Sequence, residues 1–263
     1  DKMISCEMAG RLGNQMFIAA TAHSLAIDND DRVLYPYSIE GMCPTPKETA
    51  VHRQTIFRNL DYTNNLSFLK FVHSEHPDMK FQEIEYKENL LLRGYFQSER
   101  YFKHNREQIL KLFSPQRQII EFMNKKYKNL IDSEECVSIH VRRGDYLKWS
   151  DFHNVLGKKY YHKAMKEYDG AKFIFFSDDI DWCRETFKDT KFVFIEKQPD
   201  VMDLFLMSKI THNIIANSSF SWWAAWLNEN EKQTVICPGK WFGPKNSHLV
   251  TKDLTPSAWN VII

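Results

Sequence analysis

Apolar positions in the second half of the chain fall into short dense runs, separated by segments with helical spacing. "CVSIHV", "KFIFFS", "KFVFI", "HNIIAN" and a last run, "QTVICP", read as strands. Between them "KKYYHKAMKEY", "DIDWCRETFK", "DVMDLFLMSK" and "SFSWWAAWLN" read as helices. Strands alternating with helices predict a parallel, doubly wound α/β sheet. The nearly continuous apolar runs "KFIFFS" and "HNIIAN" predict strands covered on both faces.

The first half begins in the same way. "MISCEM" reads as a strand, "AGRLGN" as a glycine turn, "QMFIAATAHSLAI" as a helix and "RVLYPY" as a strand. The periodicity then lapses: "SIEGMCPTPKET" is loop-like, and "NLSFLKFV" and "FQEIEY" fit no single pattern. "ENLLLRGYF" predicts a strand, and "SERYFKHNREQILKLF" and "RQIIEFMNKKYKNL" predict two amphipathic helices. Asp132-Ser133-Glu134-Glu135 reads as a linker. The expected organisation is two Rossmann-like halves, residues 1–131 and 132–263, with a cleft between them.

Composition narrows this picture. A chain of 263 residues is long enough for one large or two compact domains. A formal net charge of +1 gives no bulk electrostatic case for nucleic acid, so any anion site must be local. Cys6, Cys43, Cys136, Cys183 and Cys237 form no C-x-x-C pair and read as free thiols, mostly buried, in a reducing compartment. No apolar run approaches the ~20 residues of a membrane span. The expected location is the cytoplasm, with peripheral contact at the inner face of a membrane left open. Asp1-Lys2 ahead of Met3 reads as a tag remnant. The matches to the glycosylation sequon at Asn65 and Asn217 mean nothing in that compartment.

Four motifs carry candidate chemistry. In "HVRRGDY", strand alternation puts Val137, Ile139 and Val141 on one face and His140 and Arg142 on the other. Arg142 then ends the strand where open α/β sheets bind ligands, and its planar fork suits phosphate oxygens. The competing reading makes Arg143 a bridge to Asp145 and His140 a satisfied core residue. In "IIANSSFSWWAAW", Asn217, Ser218 and Ser219 stand where a strand passes into a helix, as caps or as an anion site. Trp222, Trp223 and Trp226 read mainly as core, with sugar stacking the lesser alternative. In "FFSDDID", Asp178 and Asp179 follow a buried strand and suit either a ribose contact or a helix cap. Asp179 and Asp181 also have the D-x-D spacing of a metal site. In "AGRLGNQMF", Gly10 and Gly13 are expected to let the backbone turn tightly, presenting Arg11 and Asn14. His73-Ser74-Glu75-His76 reads as a solvated loop.

Taken in order, "GRLGNQMF", "LLRGYFQSERYF", "HVRRGDY", "FFSDD" and "NSSFSWWAAWL" resemble the motifs of the α-1,2-fucosyltransferases over nearly the whole chain. The H-x-R-R element is also similar to that of α-1,6- and protein O-fucosyltransferases. The resemblance implies a GT-B-type fold of two Rossmann-like domains facing each other across a cleft. Residues 1–131 would be acceptor-side and residues 132–263 would bind GDP-L-fucose, the donor substrate. It implies inverting transfer to the 2-hydroxyl of a terminal β-galactoside glycan, with no metal and no other cofactor, and no nucleic-acid partner. Golgi members carry an amino-terminal anchor that this sequence lacks, so the chain resembles a bacterial member.

Residue by residue, the resemblance makes Arg142 the donor β-phosphate contact, Arg143 its support and His140 the donor-site histidine. Asp178 lies near the nucleoside, with Asn217, Ser218 and Ser219 around the diphosphate. The loop with Gly10, Arg11, Gly13 and Asn14 faces fucose and the acceptor. Asp145 is nominated as the base, with Asp151 and His153 as alternatives. Another GDP-fucose specificity, a non-catalytic nucleotide- or glycan-binding module and a nucleotide hydrolase are the competing functions.

Overall fold

The computed structural model describes residues 2–263; Asp1, half of the expected tag remnant, lies outside them. The chain divides into two compact units, one of residues 1–115 with 249–256 and one of residues 116–248 with 257–263.

In the first unit, β1 (Ser5–Cys6) leads through Gly10 into α1 (Leu12–Asp28). Then follow β2 (Tyr35–Pro36), α2 (Pro46–Gln54), β3 (Tyr62–Thr63), β4 (Phe71–Ser74), β5 (Leu90–Arg93) and α3 (Arg106–Leu112). All strand pairs are parallel, in the orders β1-β5-β4 and β2-β3, and a bridge from Ile4 to Val33 links β1 to the β2 segment. The helix α1 is apolar nearly all round, and Met16, Phe17, Ile18, Ala19, Ala20 and Ala22 are fully buried. Such a helix is stable only inside the unit, and Tyr35 fixes it there by donating its Oη to the Ala19 carbonyl, 3.0 Å away.

The second unit holds α4 (Arg117–Lys126), α5 (Lys128–Ile131), β6 (Cys136–Val141), α6 (Gly144–Lys148), α7 (Lys158–Met165), β7 (Lys172–Ser177) and α8 (Ile180–Thr186). It continues with β8 (Phe192–Phe194), α9 (Asp200–Met207), β9 (His212–Ile214), α10 (Ser219–Trp226), β10 (Val235–Pro238) and β11 (Asn260–Ile262). Its six parallel strands run in the order β11-β10-β9-β6-β7-β8. From β6 the chain steps outward to β8, then returns to the other side of β6 to lay down β9, β10 and β11. The direction therefore reverses between β6 and β9, the topological switch point at which such sheets bind ligands. Val137, Ile139 and Val141 pack with Tyr161, Phe175 and Phe187 on one face. On the other, Asn213 donates to Ser138 Oγ at 2.7 Å and accepts from Asn228 at 2.9 Å, satisfying polar groups that are costly to bury alone.

Several expectations shift. The division falls at Pro115/Gln116 rather than at 131/132. Met123 and Leu130 are buried, and Tyr127 Oη reaches Gln198, so α4 and α5 belong with the second unit. Asp132–Glu135 is then a turn inside that unit, not a linker. Residues 249–256 belong to the first unit, where Asp253 accepts from the Phe81 N–H and from Arg100. "QTVICP" is not the last strand, because β11 follows it. The loop-like stretch contains the start of α2, and only the last turns of "SERYFKHNREQILKLF" are α-helical, after two 3-10 turns. His73 and Ser74 lie in β4, and part-buried Glu75 accepts from the Phe96 N–H at 2.6 Å, so that stretch is not a solvated loop. Cys6, Cys136, Cys183 and Cys237 are buried free thiols, while Cys43 is exposed. No helix among the described residues is long and apolar enough to cross a membrane.

Candidate functional site

At the carboxyl end of β6 the chain turns into α6, which closes "RRGD" into a compact charged turn. Arg142 Nη2 donates to Asp145 Oδ1 at 2.7 Å, and Arg142 Nε lies 3.5 Å from Asp178 Oδ2. Burial opposes the charge on Arg142, but Asp178 and Asp145 more than offset it and hold the pKa above the ordinary value. The Arg143 guanidinium lies 3.8 Å above the Trp182 ring and 3.5 Å from Asp179, and its backbone N–H donates to Asp178 Oδ1 at 2.9 Å. The two arginines thus point to separate partners. The glycine between them and Asp145 is required by close approach, since a Cβ at Gly144 would stand 2.6 Å from Asp178 Oδ2.

His140, one residue inside the strand end, is only 4% exposed. Its ring faces Phe220 at 5.3 Å, and among the described residues no hydrogen-bond partner meets its Nδ1. Burial, and after it Arg142, lowers its pKa from 6.5 to about 3, so the imidazole is neutral at physiological pH. Unfolding lets His140 take up a proton anywhere between these values, so its stabilising contribution is full above pH 6.5 and is lost as pH falls toward 3. The slope is about 1.4 kcal/mol per pH unit inside that window. Denaturant midpoints measured from about pH 7 to about pH 4 should fall less steeply for His140→Asn than for the wild type; parallel curves would contradict this.

From the carboxyl end of β9 the chain enters α10. Ser218 caps it, its Oγ accepting from the Phe220 N–H at 3.3 Å, and no acidic side chain occupies the first turn. The positive end of the helix, with Ser218 and Ser219, therefore lies beside His140, through Phe220. Asn217 serves differently from the expected ligand contact. Both of its amide hydrogens are committed, to Asn154 O at 2.7 Å and Trp241 O at 2.8 Å. Its backbone carbonyl accepts from Tyr146 Oη at 2.8 Å. Tyr146, whose pKa burial pushes up to about 12, stacks on His153 at 4.2 Å. Burial lowers the His153 pKa below 6.5. Asp151 is exposed and pairs with Lys245.

Asp179 caps α8 through the Trp182 N–H, and Asp181 pairs with Arg184. Among the described residues no group of three or more His, Cys, Asp or Glu side chains could hold a metal ion. Trp222, Trp223 and Trp226 are buried against one another, which leaves them no sugar to stack on.

In the first unit, Gly10 has φ +75°, and a Cβ there would meet Asn14 Nδ2 at 2.8 Å. Gly13 lies within α1 and contributes no turn. Asn14 Oδ1 accepts from Gln97 Nε2 at 2.8 Å, joining "GRLGN" to "LLRGYFQ" across the adjacent strands β1 and β5. Arg11 is exposed at the start of α1. Gln97, Tyr146 and Trp182 were not singled out as site residues, although the first two lie inside quoted motifs.

The second unit places Arg142 with its partners Asp145 and Asp178, the buried neutral imidazole of His140 and the N-terminus of α10 at the carboxyl ends of the adjacent strands β6 and β9. The family model "Glycosyl transferase family 11" matches residues 2–259. An O-antigen biosynthesis glycosyltransferase, WbnK, from Escherichia coli is 32% identical over 95% of this chain and 98% of its own. An alpha-1,2-colitosyltransferase from Escherichia coli is 30% identical over 98% of each chain. Among solved structures, a NodZ alpha-1,6-fucosyltransferase soaked with GDP-fucose superposes with a TM-score of 0.55 at 12% identity, over 86% of this chain and 92% of that one. That likeness shows the fold, α/β of the GT-B type.

Proposed function

The chain belongs to glycosyl transferase family 11 and is a glycosyltransferase; from that premise we propose that it transfers L-fucose from GDP-L-fucose to the 2-hydroxyl of a terminal β-galactoside glycan. The transfer inverts the anomeric carbon and requires no metal. The observation that carries this reading is Arg142, held by Asp145 and Asp178 at the switch point, just past the strand whose His140 faces the start of α10.

The chemistry follows from that placement. The acceptor oxygen attacks C1, the bond from C1 to the β-phosphate oxygen breaks, and its electron pair leaves with GDP. Negative charge grows on the diphosphate as the sugar gains oxocarbenium character. Arg142 and the N-terminus of α10 stabilise that charge, and neutral His140 donates to it through one ring nitrogen. Such groups are preorganised, so little reorganisation accompanies the step. Asp145 takes the proton of the acceptor hydroxyl, and Arg143, bound to Trp182 and Asp179, supports the turn.

The test is GDP release from GDP-L-fucose in the presence of EDTA, with and without lactose. Release that requires the galactoside and survives EDTA supports the reading. Equal release with and without acceptor would make the protein a nucleotide-sugar hydrolase, and loss in EDTA would return Asp179 and Asp181 to a metal role.

The colitosyltransferase relative favours a second reading, in which the donor sugar is colitose. Colitose is fucose without its 3-hydroxyl. A site that hydrogen-bonds a substrate hydroxyl rejects the analogue lacking it by about 10⁴-fold or more. Competition between the two GDP-sugars decides between the readings.

A further inference from the structure

The strand order of the first unit follows the same plan as that of the second. From β1 the chain moves to β2 and β3 on one side, then returns to the other side of β1 for β4 and β5. Its direction therefore reverses between β1 and β5, and the carboxyl ends of those two strands are the ligand-binding edge of such a sheet. Two side-chain amides meet at that edge. Asn14, in the first turn of α1, accepts through Oδ1 from Gln97 Nε2 at 2.8 Å.

The backbone that delivers Gln97 is held in a form that a simple connection does not need. Glu75 accepts from the N–H groups of Tyr95 and Phe96 at 3.3 and 2.6 Å, and Gly94, at φ +145°, leaves the space that the Glu75 side chain occupies. Phe96 is a fully buried aromatic residue at φ +51°, fixed between the rings of Tyr101 and His73 at 5.3 and 6.3 Å. Positive φ is unfavourable for a bulky side chain, and such strain gathers at ligand sites. The Ser98 N–H then donates to the Phe96 carbonyl at 2.8 Å, closing a three-residue turn with Gln97 at its centre.

What the two amides leave unpaired defines the ligand. Among the described residues Asn14 Nδ2 and Gln97 Oε1 have no hydrogen-bond partner, and both residues are only part-buried. The pair thus offers one donor and one acceptor side by side, and turning both amides over leaves the same complement. A phosphate or carboxylate supplies no donor for an amide oxygen, whereas two neighbouring hydroxyls satisfy both groups. Glu7 and Arg93, at the ends of the same strands, are paired with each other at 2.9 Å.

We propose that Gln97, together with Asn14, binds the vicinal 3- and 4-hydroxyls of a galacto-configured pyranose and is a specificity-determining residue of the transfer. The choice of sugar rests on the function proposed above. Fucose is 6-deoxy-L-galactose, so the donor sugar and the acceptor galactose both carry an equatorial 3-hydroxyl beside an axial 4-hydroxyl. Asn14 donates to one hydroxyl oxygen, and Gln97 accepts from the other O–H.

The experiment compares kcat/KM for lactose against its 3′-deoxy and 4′-deoxy analogues, and for GDP-L-fucose against GDP-colitose, which lacks the 3-hydroxyl. Gln97→Met keeps the length of the side chain and removes its hydrogen bonds; Asn14→Ala removes the other half of the pair. The wild type is expected to prefer a hydroxylated substrate over its deoxy analogue by about tenfold, and each variant to bring that preference within about twofold. Preference lost among the lactoses assigns the subsite to the acceptor, and preference lost between the GDP-sugars assigns it to the donor. Preferences that match the wild type on both sides, even at lower kcat, make the amide contact a structural staple and overturn the proposal. A wild type indifferent to every deoxy analogue also overturns it. Absence of any fucosyl transfer by the wild type contradicts the proposed function alone, and saturation-transfer NMR with lactose and methyl β-L-fucoside then decides the subsite. Signals lost in Gln97→Met keep it; signals equal in both proteins, or absent from the wild type, overturn it.

Discussion

Arg142→Ala should lower kcat by about 10²–10³-fold, equivalent to ~2.7–4 kcal/mol of lost transition-state stabilisation. The reason lies in the arrangement of charge. Arg142 is a fixed cation whose two carboxylate partners hold the fork in place before any ligand arrives. In its absence Asp145 and Asp178 face the departing diphosphate without a counter-charge. Arg142→Lys should recover only part of the rate, because an ammonium keeps the charge but not the planar fork. The comparison uses single-turnover transfer together with thermal unfolding. An unchanged kcat in a folded Arg142→Ala variant would remove Arg142 from the chemistry. A large loss accompanied by unfolding would make it structural.

The second large effect is expected for Asp145→Asn. The amide keeps an oxygen to accept from Arg142 Nη2, so the turn should persist, but it cannot accept the acceptor proton. A general base contributes about 10²–10⁴-fold, and a loss of that size is expected. Should Asp145 serve only to hold Arg142, the loss would stay below about tenfold. His153, stacked on Tyr146 nearby, would then be the group to replace next.

Much of the second unit was legible because its strands are covered on both faces, which concentrates apolar residues into unmistakable runs. β11 escaped because "NVI" is short and mostly exposed, its strand character coming only from pairing with β10. α6 escaped because five residues of "GDYLK" show no apolar stripe. The first unit was harder to read for a different reason. Its strands are only two to four residues long, held in place by burial of α1 rather than by their own pattern. α2 did carry a signal: Thr45 and Glu48 form a capping box on either side of Pro46, the T-P-K-E signature of a helix start.

In the site, the alternation of faces along β6 was legible. Ile139 and Val141 turn into the core, while His140 turns toward Phe220. The roles of partners were not legible. That Arg143 would lie on Trp182, that Gly144 would make room for Asp178, and that Asn217 would secure two loops all depend on contacts between residues far apart in sequence. Gly13 shows the converse, a glycine that looked like a turn residue and is helical.

The most direct test of the central claim is the structure of the product. Purified protein, GDP-L-fucose and lactose are incubated with EDTA, and the trisaccharide is assigned by NMR. The account predicts fucose in α linkage to O2 of galactose. A β linkage, attachment at another hydroxyl, or no fucosylated product with lactose or any other β-galactoside would contradict it.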